Sequence, residues 1–205
     1  MIRCNVTLNG VISKPATMRS GNDSGSFIGF VVKTVILGKT GSKEIEIHVS
    51  SDGTDSDIAR FVVGQRIGIS GTLTFRKPKD TLYLNMKATS INFAPEAGND
   101  GIEGIIDFYG SVGRQIEKKK DRKGNEYLTF SAYSSEKTGE AFSYIWVRFI
   151  RFSSEQETFL NAKSKIHVTG KLELSMYYDS LGISCQVDDI REWVYKSDSH
   201  RESTT

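Results

Sequence analysis

Residues 143–152 combine large aromatic side chains with arginines and contain neither glycine nor proline. If this segment is a β-strand, alternate side chains point to opposite faces. One face, suited to a core, carries Ile145, Val147 and Phe149. The opposite face carries aromatics on both sides of an arginine: Tyr144, Trp146, Arg148, Ile150 and Phe152. Exposed aromatics beside an arginine are typical of surfaces that stack the bases of single-stranded nucleic acid. The alternative is a strand buried on both faces.

Composition limits the classes of protein that this chain can belong to. A length of 205 residues fits one large domain or two of about 100 residues. The formal net charge of +2 is nearly neutral, so a nucleic-acid site must come from local arrangement. The two cysteines, Cys4 and Cys185, lie far apart, which favours a reduced, cytoplasmic protein. The first residues alternate like a strand rather than a signal peptide, and the sequence predicts no membrane span.

Short alternating runs separated by Gly, Asn, Asp and Ser predict an all-β protein. The pattern also repeats: Gly110 follows Gly10, and Phe130 follows Phe30, by 100 positions. Each unit shows five strand candidates and one short helix candidate between the third and fourth. The helices are predicted from capping-box patterns that begin at Thr54 and at Ser154. We therefore expect an internal duplication with a linker over residues 95–101.

This element order is that of the OB-fold, a five-stranded Greek-key barrel whose second and third strands face oligonucleotides. We predict two tandem OB-folds, residues 1–97 (the first half) and 101–196 (the second half), followed by a short flexible tail, 197–205. An unrelated five-stranded barrel is the structural alternative.

The second half resembles the bacterial single-stranded DNA-binding proteins. The resemblance lies in four segments in the same order: the glycine-centred hairpin 121–131, the strand 146–152, the strand 166–172 and the hairpin 177–182. It implies base stacking by Trp146, Phe152 and Tyr177, and a phosphate contact by Arg148. The sequence departs from the family at Ser153, where glycine is usual.

Other candidate residues come from position and charge. Tyr127 and Tyr133 are predicted beside Trp146 on the non-core face. A hairpin tip carries five cations that either clamp the nucleic-acid backbone or are simply solvated: Lys118, Lys119, Lys120, Arg122 and Lys123. We predict that the second half is the main nucleic-acid-binding unit. The first half either serves in assembly or binds more weakly, through Arg76, Lys77, Lys79, Tyr83 and Lys87. Matching Trp146 with His48 and Arg148 with Ser50 leaves Glu44 and Glu46 on the first half's face, where carboxylates repel phosphate.

The expected activity is binding of single-stranded DNA, with RNA not excluded, in replication, recombination or repair. No enzyme motif, cofactor motif or metal-ligand spacing is visible, so we predict neither an enzyme nor a cofactor or metal site. The alternative is a protein–protein adaptor of a replication or conjugation complex. We also expect a homodimer, with the edge at Arg3, Asn5 and Thr7 as the candidate surface for pairing with a second copy.

Overall fold

The computed structural model describes residues 1–20, 25–38, 41–79, 81–95, 98–138, 141–178 and 180–194. The predicted tail, residues 197–205, lies outside these ranges. The first half contains strands β1 (Ile2–Ser20), β2 (Ser26–Gly38), β3 (Gly41–Ser51), β4 (Arg66–Arg76) and β5 (Tyr83–Asn92). The second half contains β6 (Gly101–Lys120), β7 (Glu126–Thr138), β8 (Ala141–Arg151), β9 (Lys165–Tyr177) and β10 (Ser180–Glu192). Within the described ranges no helix is long and apolar enough to cross a membrane.

Strand pairing follows the same cycle in each half. In the first half the order is β1–β2–β3–β5–β4 and back to β1, with only β3 and β5 parallel among these pairs. In the second half it is β6–β7–β8–β10–β9 and back to β6, again with only β8 and β10 parallel. The all-β prediction is confirmed, and this pairing is consistent with the OB-fold.

The repeated glycines lie where neighbouring strands approach too closely for a side chain. A Cβ on Gly10 would meet the carbonyl oxygen of Lys33, and one on Gly110 would meet that of Tyr133. Likewise, a Cβ on Gly71 would meet the carbonyl oxygen of Lys87, and one on Gly170 would meet that of Gln186. These sites allow the strands of each half to curve and cross, which explains why glycine recurs in register.

The core is built from the inward positions of both halves. Phe30 packs on Phe61 in the first half, and Phe149 packs on Phe108 and Phe130 in the second. Cys4 and Cys185 are fully buried, and burial raises the pKa of each thiol to about 12. Both thiols are therefore uncharged at neutral pH.

The structure contains a short helix at the first predicted helix position but none at the second. A six-residue 3-10 helix, Asp55–Arg60, lies between β3 and β4, and the Thr54 N–H donates to the Asp57 carboxylate at 2.9 Å. The prediction of a second helix is wrong, because residues 152–164 form an irregular loop with turns at 158–159 and 162–163. Arg151 holds this segment instead: its guanidinium pairs with the Glu157 carboxylate and donates to the Glu155 carbonyl.

The halves are joined by antiparallel pairing of β1 with β6. Residues 2–9 face residues 108–101, so Asn5 lies opposite Ile105, which is 100 positions later. This register places a pseudo-two-fold axis between equivalent strands. The edge predicted to pair with a second copy is therefore already occupied: Arg3 faces Asp107 and Thr7 faces Glu103. That prediction is wrong because β6 of the same chain already pairs with this edge.

Candidate nucleic-acid interface

The two faces of β8 differ as the alternation predicts. Ile145, Val147 and Phe149 are buried, whereas Trp146 is 52% exposed and Phe152, just beyond the strand, is 70% exposed. The alternative of a strand buried on both faces is thus excluded. An exposed surface of large aromatics on a regular strand is available for a flat ligand.

Aromatic side chains of β7 and β8 gather around Trp146. Tyr133 lies directly opposite Trp146 in the antiparallel register, and their ring centroids are 4.9 Å apart. Tyr144 contacts Tyr133 edge to face at 5.5 Å. The indole also lies over the backbone of Gly113, where a Cβ would be 3.2 Å from the ring. Trp146 is therefore positioned by packing on one side and open on the other.

A second pair of rings and an arginine continue this surface. Phe152 and Tyr127 have centroids 6.2 Å apart. Arg148 lies between Trp146 and Phe152 along the strand, and its Nε donates to the Thr129 hydroxyl at 3.4 Å. The residues that form this surface, called the aromatic strip below, are Tyr127, Tyr133, Tyr144, Trp146, Arg148 and Phe152. Tyr144 was placed on this face by the sequence but was not among the predicted site residues.

The basic hairpin is a compact turn with part of its charge compensated. Asp121 accepts hydrogen bonds from the N–H groups of Lys123 and Asn125 and from the Asn125 amide. The bonds from Asn125, with those from the turn backbone, hold the pKa of Asp121 below its ordinary value. Two of the cations are paired with carboxylates: Lys119 with Glu117 at 2.7 Å, and Lys120 with Glu126 at 3.5 Å. The side chains of Lys118, Arg122 and Lys123 are exposed.

Tyr177 is 63% exposed at the hairpin between β9 and β10. Its neighbour Tyr178 is 77% exposed and packs edge to face against it at 4.7 Å. Sequence reasoning named Tyr177 and missed Tyr178. The available signal was a pair of adjacent aromatics at a predicted turn, where burial of both is difficult.

The candidate residues of the first half do not all lie together, and Lys87 lines a different groove from Lys77 and Tyr83. Lys77 and Tyr83 line a groove of about 630 Å³ between the halves, with Tyr144 and Trp146 on its other wall. Arg76 instead pairs with Glu136 of the second half at 3.8 Å. Lys79 lies in the turn after β4, at a positive φ of 59°. Lys77 and Tyr83 are thus brought next to the aromatic strip, whereas Arg76 bridges the two halves.

Strand register corrects the match between the halves. Val32 faces Ile47 in the first half, and Ala132 faces Val147 in the second. Trp146 therefore corresponds to Glu46 and Arg148 to His48, so the predicted match was wrong by two residues.

The carboxylates of this first-half face are paired. Glu46 accepts from Lys14 at 2.7 Å, and this hydrogen bond lowers the pKa of Glu46. Glu44 pairs with Lys33 at 3.4 Å. Among the described residues no group of three His, Cys, Asp or Glu side chains could hold a metal ion.

Comparison of the whole chain with solved structures identifies a shared fold. The chain matches a deletion mutant of the single-stranded DNA binding protein from Thermus aquaticus with a TM-score of 0.50 and 14% identity, covering 96% of this chain and 97% of that one. The wild-type Thermus aquaticus protein matches with a TM-score of 0.49 and 15% identity, covering 95% of this chain and 94% of that one. A third match is the Plasmodium falciparum single-stranded DNA-binding protein, solved with single-stranded DNA. Its TM-score is 0.38 at 17% identity, covering 48% of this chain and 100% of that one. No family model and no curated protein matches the sequence. At 14% identity, the match with the deletion mutant is a likeness of fold.

Proposed function

We propose that the protein consists of two tandem OB-folds, residues 1–97 and 101–196, that bind single-stranded DNA and carry out no chemistry. The observation that carries this proposal is the aromatic strip on β7 and β8. Each base stacked on such a ring contributes about 1–3 kcal/mol to affinity with little dependence on sequence. The strip lies on the second and third strands of its half, the face that OB-folds use for oligonucleotides.

Electrostatics complete the proposed interface. Arg148 lies between two stacking positions, where its guanidinium can reach the phosphate between neighbouring bases. Lys118, Arg122 and Lys123 extend from the adjacent hairpin and supply charge for the backbone on either side. The stacking roles of Trp146, Phe152, Tyr127, Tyr133 and Tyr177 give affinity, and the cations make that affinity depend on salt.

Tryptophan fluorescence tests the proposal directly. The chain has two tryptophans, and Trp193 packs edge to face against Tyr109 at 5.5 Å. A Trp193→Phe variant therefore leaves Trp146 as the single reporter. Titration with oligo-dT should quench its emission, and log K should fall with log salt by about 0.7 per phosphate contact. Trp146 emission that stays unchanged at high oligo-dT concentration would contradict the proposal.

A protein–protein adaptor is the second candidate function. The ion pairs Lys14–Glu46 and Lys33–Glu44 favour it, because they cover the face of the first half with compensated charge. Under this alternative the protein assembles a replication or conjugation complex and touches DNA little. The same titration separates the two, since an adaptor shows neither quenching nor steep salt dependence.

We further propose a cytoplasmic protein that acts in replication, recombination or repair, and that forms a homodimer through a surface other than β1. Two copies would assemble four barrels, and two-fold dimers are the commonest homo-oligomers. Light scattering should give about 46 kDa, twice the 22.8 kDa chain. A mass of one chain at micromolar concentration would exclude the dimer while leaving DNA binding untouched.

Parallel titrations with oligo-dT and oligo-U test the preference for DNA.

A further inference from the structure

The first half has a groove of its own, of about 680 Å³, on the side of its sheet that faces away from the core. The sequence-based candidates of this half lie elsewhere, except for Lys87. Four basic side chains from three strands line it: Arg3 and Arg19 of β1, His48 of β3 and Lys87 of β5. Phe27 adds an aromatic surface. The combination is that of a site for a base and its phosphates.

Arg19 is held against the floor of this groove. A Cβ on Gly29 would lie 2.7 Å from the Arg19 Nε, so the guanidinium occupies the space that a side chain at position 29 would fill. Arg19 also lies opposite Phe27 in the register of β1 and β2. The sheet thus presents a cation and a ring side by side, as Arg148 and Trp146 are presented in the second half.

Carboxylates in and near the groove are engaged by other groups. Asp107 lies at its edge, and its carboxylate is 2.6 Å from the His167 Nε2. Glu46, on the same strand as His48, accepts from Lys14. Asp107 keeps its negative charge, but the three cations Arg3, Arg19 and Lys87 outnumber it among the lining residues, which favours an anion.

His48 connects this groove with the one between the halves. Its side chain is half-buried and lines both grooves, and its ring centroid is 6.4 Å from that of Tyr83. Trp146 lines the groove between the halves from the opposite wall. A track of grooves therefore runs from Trp146, past Tyr83 and His48, to Phe27 and Arg19.

The geometry points to one continuous path for single-stranded nucleic acid, in which the strand leaves the aromatic strip at Trp146, passes His48 and enters the first-half groove. This inference rests on the proposed function of the strip and adds a second subsite to it. Stacking anchors the strand in the second half, and phosphate contacts to Arg19 and Lys87 extend it over the first. Short oligonucleotides then occupy only the strip, because one OB-fold covers about 4–16 nucleotides.

The test compares Arg19→Gln with Arg191→Gln in the full chain. Arg191 is an exposed arginine on β10 that pairs with Asp189 at 2.7 Å, so it controls for loss of one positive charge. Affinities for oligo-dT of about 8 and about 35 nucleotides are measured by Trp146 fluorescence, with folding checked by circular dichroism. We expect Arg19→Gln to weaken only the long oligomer, at least about threefold, and to reduce its salt slope by about 0.7. Lys87→Gln should act in the same way, independently of Arg19.

Two results would overturn the path. In one, Arg19→Gln and Lys87→Gln leave the long oligomer bound as tightly as Arg191→Gln does. In the other, they weaken the 8-mer as much as the 35-mer, which places their effect on the strip. Either result leaves the strip as a binding site, whereas a parent protein whose Trp146 emission responds to neither oligomer loses both the proposed function and this path.

Discussion

The two halves have the same strand order, the same pairing and glycines at the same close approaches, yet their outward faces carry different chemistry. Inward positions match: Phe30 and Phe130 are both buried, as are Ile47 and Val147. At the equivalent outward positions Glu46 replaces Trp146. The comparison shows that the two halves share their inward side chains and glycines, while their outward positions differ in chemistry.

Energetics explain why this difference matters. An exposed ion pair such as Lys14–Glu46 contributes about 0–1 kcal/mol to stability and offers a carboxylate to the solvent. An exposed indole such as Trp146 gains nothing from water and gains about 1–3 kcal/mol when a base stacks on it. Aromatics in the second half are therefore suited to binding, and ion pairs in the first half to a neutral surface beside a separate basic groove.

The largest expected effect concerns the division of aromatics between core and surface in the second half. Phe149 is fully buried against Phe108 and Phe130, so Phe149→Ala should lower the free energy of unfolding by about 3–5 kcal/mol. Phe152→Ala is the matched control, because the same side chain is 70% exposed. It should change stability by less than about 0.5 kcal/mol. Urea denaturation measures both, and equal losses would contradict the assignment of faces.

The joint between the halves gives a smaller but distinct effect. A Cβ on Gly104 would lie 2.7 Å from the Cα of Val6 on β1, whereas one on Gly101 would meet nothing within 4 Å. Gly104→Ala should therefore push β6 from β1 and cost about 1–3 kcal/mol, with Gly101→Ala close to neutral. Thermal denaturation of the two variants tests this. A Gly104→Ala protein as stable as Gly101→Ala would mean that the pairing of β1 with β6 contributes little.

The smallest effect comes from the ion pairs of the first half. The hydrogen bond from Lys14 lowers the pKa of Glu46 in the folded state, so its contribution is present at neutral pH and is lost as pH falls through that lowered pKa. Lys14→Met should reduce stability by less than about 1 kcal/mol at pH 7, and the difference from the parent protein should shrink in acid. A difference that grows as pH falls would refute this role.

Much of the fold could be predicted because the strands and their faces follow from local sequence patterns. Alternation identified the strands and their inward faces, and the spacing of Gly10 and Gly110 revealed the repeat. The pairing of β1 with β6 could not be predicted, because backbone hydrogen bonds between strand edges leave little trace in side-chain type. The second helix was predicted wrongly because the spacing of Ser154 and Glu157 matches a capping box. In the structure Glu157 instead forms an ion pair with Arg151.

The candidate site was harder to predict than the fold. The exposed face of β8 followed from alternation, but a shift of two residues keeps every side chain on the same face. The match of Trp146 with His48 therefore kept the faces correct, although the 100-residue spacing of Gly10 and Gly110 already indicated Glu46. The cross-strand register confirms Glu46 as the counterpart of Trp146. The groove around Arg19 depends on Gly29 and on contacts between strands distant in sequence, so no local pattern indicated it.

The most direct test of the account compares single substitutions at these two equivalent positions. The affinity for oligo-dT of about 35 nucleotides is measured by fluorescence anisotropy for the parent protein, Trp146→Ala and Glu46→Ala at one salt concentration. We expect Trp146→Ala to lose about 1–3 kcal/mol of binding free energy. Glu46→Ala should bind as tightly as the parent or slightly more tightly, since a carboxylate near the strand is removed. A folded Trp146→Ala protein with parental affinity, or an equal loss in Glu46→Ala, would contradict the claim that the second half is the principal binding surface.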